Sequence, residues 1–247
     1  PPTSSILDST VLTEDTTSTV GLAIADVDAG GAAVLVRVTA AGSTVTLPDV
    51  TGLTLNTGST DVGVIEFTAT VAAANAALAQ LEVTGTAHLN GASGVASVTI
   101  FVDDQGNTGG AAETVTDVYD LSITAVNDPP TTAVLDSVAL TEDVTATVGL
   151  QVTDVDAGAG TVTVRVTSAG STITLPDTTG LTPSTGVTDV SVIEFTGTVA
   201  AANAALAQLE VTGTANLNGA SGVASLTIFV DDEGNSGGAA ETVTDVY

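Results

Sequence analysis

The chain has no cysteine, lysine, methionine or tryptophan, and among 247 residues it has only two arginines, one histidine, four phenylalanines and two tyrosines. Without cysteine there is neither a disulfide nor a thiolate metal site, so any stabiliser beyond the hydrophobic core must come from another chemistry. Without lysine, a self-formed lysine–asparagine crosslink is excluded. Only two cationic side chains stand against 29 acidic ones, giving a formal net charge of −27. A field of that sign repels phosphate and anionic headgroups, which excludes nucleic acid and an anionic membrane surface as partners. No run of eighteen apolar residues occurs, and the longest alanine-rich stretch, "VAAANAALAQL", is too short to span a bilayer.

High charge with few aromatics can signal disorder, but 43% of the residues are hydrophobic, and valine, leucine, isoleucine and alanine fall in short runs. The composition therefore describes a folded chain. Sliding the sequence against itself gives one dominant offset of 128 residues without a gap, and 93 of the 119 comparable positions are identical. Glu14 then matches Glu142, Arg37 matches Arg165, Phe67 matches Phe195 and Tyr119 matches Tyr247. This is a tandem array of one unit, with repeats at 1–128 and 129–247. The second repeat is expected to lack its last strand, because the first continues beyond Tyr119 into "DLSITAVNDPP". We expect a fragment of a longer array.

Within a unit the signals are those of strands. "AVLVRVTA", "STVTLPD", "DVGVIEFTAT" and "VASVTIFVDD" are rich in β-branched residues, alternate, and are separated by turn steps such as Gly106-Asn107, Asn90-Gly91 and Gly109-Gly110. One segment differs: Val71, Asn75, Leu78 and Leu81 recur at helical spacing behind Thr70, a natural N-cap. The expected fold is all-β, two tandem antiparallel Greek-key β-sandwiches with one short helix each.

The acids gather at a few places: Glu14 and Asp15, Asp26 and Asp28, Asp103 and Asp104, and the seam pair Asn127 and Asp128. Their second-repeat matches are Glu142 and Asp143, Asp154 and Asp156, and Asp231 and Asp232. If the first strand (Ile6 to Leu12) descends, the next (Val20 to Ala25) climbs, and the last descends to feed the following repeat, then Asp26, Asp28, Asp103 and Asp104 share the top of repeat 1. Glu14 and Asp15 lie at its bottom. The same parity gathers Glu14, Asp15, Asn127, Asp128, Asp154, Asp156, Asp231 and Asp232 at the junction, and leaves Glu142 and Asp143 at the bottom of repeat 2. Two unit charges about 4 Å apart repel by roughly 4 kcal/mol at an effective dielectric near 20. Protein cations are too few to neutralise such a cluster. Six to eight oxygen ligands describe a calcium site, whereas magnesium retains more water. "DVDAGG" is not an EF-hand, since the twelfth position from Asp26 is Arg37 and from Asp154 is Arg165. Solvated turn acids, which favour turns for local hydrogen-bonding reasons, and a halophile's acidic surface are the two plainer readings.

Taken together, "TEDT…DVDAG", "NAALAQLEV", "FVDDQGNTGG" and "ITAVNDPP" resemble the cadherin-like tandem repeats of very large bacterial surface adhesins, of the RTX or biofilm-associated kind, over the whole of both units. The resemblance implies calcium between repeats, held by positions matching Glu14, then Asn127 and Asp128, then Asp154 and Asp156 with Asp231. Compared with animal cadherins, the linker carries fewer Asx residues. It also implies a secreted protein at the bacterial surface whose partners are neighbouring repeats of the same chain and, through other domains, cell-surface or matrix glycans.

Catalysis finds little support. His88, the only histidine, is matched by Asn216, so no Ser-His-Asp or metal-histidine site repeats. Paired carboxylates without aromatic platforms make a poor glycosidase. Arg37 and Arg165 sit mid-strand in "VRV", where pairing with a neighbouring acid is expected. The function expected is that of calcium-rigidified stalk repeats with no enzymatic activity and no membrane insertion; the alternative is a module that itself binds a glycan or a partner repeat.

Overall fold

The computed structural model describes residues 1–247 except 9, 86–95, 108–109, 137–138, 216–223 and 236. His88, Asn216, the Asn90-Gly91 step and Gly109 lie outside the described residues. The chain divides into two units, Pro1–Val126 and Asn127–Tyr247.

Unit 1 is an all-β sandwich. Its larger sheet runs in the order Val11–Thr13, Thr114–Thr124, Ala96–Asp103, Ala33–Ala41, Val64–Thr70, Thr54–Leu55. A second sheet joins Thr17–Thr19, Glu82–Gly85 and Ser43–Thr46, and Thr3–Ile6 pairs with Leu22–Ala25. Strict alternation builds the core: Val34, Val36 and Val38 point inward from one strand, Ile65 and Phe67 from the next, and Val98, Ile100 and Val102 from a third. Unit 2 repeats this with Thr161–Ala169 between Val192–Thr198 and Ser225–Asp231, and with Thr242–Val246 beyond the latter. Among the described residues, all the paired strands are antiparallel save one. Ser122–Thr124 runs parallel to Val11–Thr13.

That exception marks a difference from the sequence reading. The expected single first strand is two, Thr3–Ile6 and Val11–Thr13, because the chain leaves one sheet after Ile6 and enters the other at Val11. The helix spans Val71–Leu78, where the Thr70 hydroxyl accepts from Ala73 N at 3.3 Å, and its repeat spans Val199–Leu206 under Thr198. Each helix does more than cap a strand. Asn75 Oδ1 accepts from Ile24 N at 2.8 Å and its Nδ2 donates to Ile24 O at 2.9 Å; Asn203 does the same with Val152, at 2.8 Å for both bonds. No helix among the described residues is long and apolar enough to cross a membrane.

Candidate metal centre

The acidic positions separate by strand parity. Leu12 points into the core of unit 1, and two residues on Glu14 does too, with no exposed surface. Its Oε1 accepts from Val126 N at 2.5 Å and its backbone N–H donates to Thr124 O, while Oε2 is buried without a hydrogen-bond partner. Asp15 points the other way, exposed, at φ 58°. At the opposite end of unit 1, Asp26, Asp28 and Asp104 line a polar cavity of about 460 Å³ together with Asn107, Gly110 and Glu113. Of Asp26, Asp28, Asp103 and Asp104, which the sequence reading places together, Asp26, Asp28 and Asp104 line this cavity and Asp103 does not. Asp104 continues the buried face of Ile100 and Val102, and backbone N–H groups of Gly106 and Glu113, both 2.8 Å from Oδ1, hold its carboxyl below the usual range. Asp103 is half-exposed and caps its own turn through Gln105 N at 2.7 Å. Glu113 was not among the residues singled out from sequence, where it stands as a lone acid after a glycine-rich turn.

Unit 2 carries the same end in a more closed form. Asp232 is fully buried: Oδ1 accepts from Gly234 N and Glu241 N, each at 2.8 Å, and Oδ2 accepts from Asn127 Nδ2 at 2.6 Å. Asn127 also donates to Ala239 O, and a β-carbon on Gly238 would lie 3.0 Å from the Asn127 β-carbon, so the asparagine fills a fitted seat. Asp128 N donates to Asp156 Oδ2 at 2.6 Å, and Asp154 Oδ1 accepts from the backbone N–H of Asp156 and Ala157. Burial pushes the Asp154 carboxyl above the usual range, and the negative charges of Asp232 and Asp156 push in the same direction against its two backbone bonds. Asp154 Oδ2 and Asn127 Oδ1 are buried without a hydrogen-bond partner. Asp231 repeats Asp103, half-exposed and bonded to Glu233 N at 2.8 Å.

The structure therefore gathers Asn127, Asp128, Asp154, Asp156 and Asp232 within unit 2, and sets Asp231 aside on the turn. Glu142 and Asp143 are exposed. Glu14, the counterpart of Glu142 in unit 1, is buried beneath the Thr124–Val126 segment. Both arginines are engaged away from these sites. Arg37 Nε donates to Glu66 Oε2 at 2.6 Å and its guanidinium lies 5.4 Å from the Phe101 ring centre; Arg165 pairs with Glu194 and lies 4.8 Å from Phe229.

For a cation these donors are all oxygen, carboxylate or carboxamide, with no cationic side chain among them. They fit a hard divalent ion of the calcium type, and they do not fit a soft thiolate-seeking metal. Among the described residues, no three or more acidic or histidine side chains already stand as a cage. No protein-family model matches the chain, and no curated protein matches it.

Proposed function

We propose that the chain consists of extender repeats from a secreted bacterial surface adhesin, and that calcium bound at the acidic repeat ends stiffens successive repeats into a stalk. The observation that carries this reading is the pair of buried, unpartnered oxygens in unit 2, Asp154 Oδ2 and Asn127 Oδ1, with buried Asp232 bonded to the same asparagine. A buried carboxylate oxygen without a donor is costly, and a coordinating cation removes that cost. Glu14 Oε2 supplies a similar oxygen in unit 1, and Glu14 grips Val126 while Asn127, the next residue, is gripped by Asp232.

When bound, calcium would supply a counter-charge and a set of directional oxygen contacts. Asn127, Asp154, Asp156 and Asp232 would hold it within unit 2. The chain's own residues contribute the rest. Pro129 and Pro130 restrict the linker to extended geometry, and Asp128 N ties it to Asp156. A module that itself grips a glycan would want exposed aromatic platforms. Phe67 and Phe195 are buried, Phe101 and Phe229 lie under arginines, and the tyrosine hydroxyls bond to Ser4 and Thr132.

Calorimetric titration with calcium tests the reading. Extracellular modules of this kind bind with dissociation constants on the order of 0.1 to 1 mM. Asp154→Asn together with Asp232→Asn should abolish binding, and equal heats from the parent and the double variant would refute it.

A further inference from the structure

Asn127 begins unit 2, and it is 6% exposed. Burying an asparagine costs free energy unless its carboxamide finds partners, and here only one end of the carboxamide does. Nδ2 donates to Asp232 Oδ2 at 2.6 Å and to Ala239 O at 3.2 Å, which uses both of its hydrogens. Oδ1 is buried without a hydrogen-bond partner. Two acceptors around one end fix which way the group points, since turning it over would set Oδ1 against a carboxylate and a carbonyl.

Asp232 does not need this contact to make its own turn. Its Oδ1 takes the backbone N–H groups of Gly234 and Glu241, and in unit 1 Asp104 Oδ1 takes those of Gly106 and Glu113 in the same way. One oxygen thus makes the turn in both units, and in unit 2 the second oxygen is given to Asn127. The seat is fitted in shape as well as in charge. Gly238 leaves room where a β-carbon would come 3.0 Å from that of Asn127, and the following residue is held by Asp128 N donating to Asp156 Oδ2 at 2.6 Å.

We propose that Asp232 is a positioning residue for Asn127, and that the seat at 127 selects a carboxamide against a carboxylate. Asp232 Oδ2 and Ala239 O take Nδ2 in the metal-free chain, so Oδ1 is the side-chain atom that residue 127 has left for a cation. The one carboxamide among the site's carboxylates is in place before an ion arrives. The ion's part in this rests on the calcium reading above; the seat itself does not. A carboxylate at 127 would set a second negative charge against buried Asp232 and against Ala239 O, with no hydrogen to share. Ligand charge alone argues the opposite, because added carboxylates tighten calcium sites.

The test uses the full chain, first in excess chelator. Nitrogen-15 spectra should show the Asn127 Nδ2 protons protected from exchange with water, unlike the carboxamide protons of exposed Gln80. Asn127→Asp should lower the melting temperature in chelator and weaken calcium binding by at least about tenfold, the scale of one lost buried hydrogen bond. Asn127→Asp/Asp232→Asn exchanges donor and acceptor, and it should recover part of the melting temperature that Asn127→Asp loses. The proposal is overturned if the Asn127 Nδ2 protons exchange in chelator as fast as those of Gln80. It is equally overturned if Asn127→Asp binds calcium as tightly as the parent or more tightly, or if the two substitutions lower the melting temperature additively. A parent chain that takes up no calcium refutes the stalk reading instead, and the exchange and melting results in chelator then decide the seat by themselves.

Discussion

At the scale of single residues, the direction a strand side chain points decides what its acid can do. Leu12 and Glu14, Val152 and Asp154, Ile100, Val102 and Asp104, and Val230 and Asp232 are i, i+2 continuations of buried faces. Each carries a carboxylate onward along the inward side at a strand end. Asp15, Asp103 and Asp231 are one residue out of phase and serve turns or solvent. Glu14→Gln keeps an acceptor for Val126 N and should leave stability without calcium within about 1 kcal/mol, while the calcium-dependent rise in melting temperature falls. Glu14→Ala strands that N–H and should cost about 1–3 kcal/mol in denaturant unfolding. Glu66 gives a pH dependence with a defined sign. The Arg37 hydrogen bond, helped by Asn56, holds its carboxyl below the ordinary glutamate value. Its contribution to stability is therefore present above the unfolded value and lost as pH falls through the folded one. Carbon-detected titration should show the Glu66 carboxyl rising toward the ordinary range in Arg37→Ala, with the Asn56 bond still holding it down.

At the scale of elements, local chemistry told much of the story in advance and long-range pairing told little. Thr70 and the spacing of Val71, Asn75 and Leu78 announce the helix, and the "VRV" pattern announces an arginine on an outer strand face, where its cross-strand partners prove to be Glu66 and, in the repeat, Glu194. The split of the first strand was not legible, because a period of two says which side a residue faces but not which sheet it joins. The choice of Asp232 over Asp231 was legible in principle, since Leu226, Ile228 and Val230 set the phase. Asn75 read as part of a helical stripe, while its actual work is to satisfy both backbone groups of Ile24 on a neighbouring strand. Asn203→Ala leaves the N–H and C=O of Val152 without these partners and should cost about 2 kcal/mol of unit 2 stability in urea unfolding. Asn75→Ala should lower unit 1 by a similar amount.

At the scale of the whole molecule, two nearly identical units with 29 acids and two arginines make a chain whose charge opposes its own compaction wherever acids meet. Each unit has its own mainly aliphatic core, and under the proposed function the acidic ends are where an added ion would act. Salt alone would screen that repulsion without specificity, whereas calcium should act at low millimolar concentration against a constant ionic strength. The most direct test is small-angle X-ray scattering with melting measured on the same samples, first with calcium and then with excess chelator at matched ionic strength. Calcium-bound repeats should show a larger maximum dimension and a higher melting temperature, both reversed by chelation and both absent from Asp154→Asn/Asp232→Asn. An unchanged maximum dimension and an unchanged melting temperature would contradict the calcium-stiffened stalk.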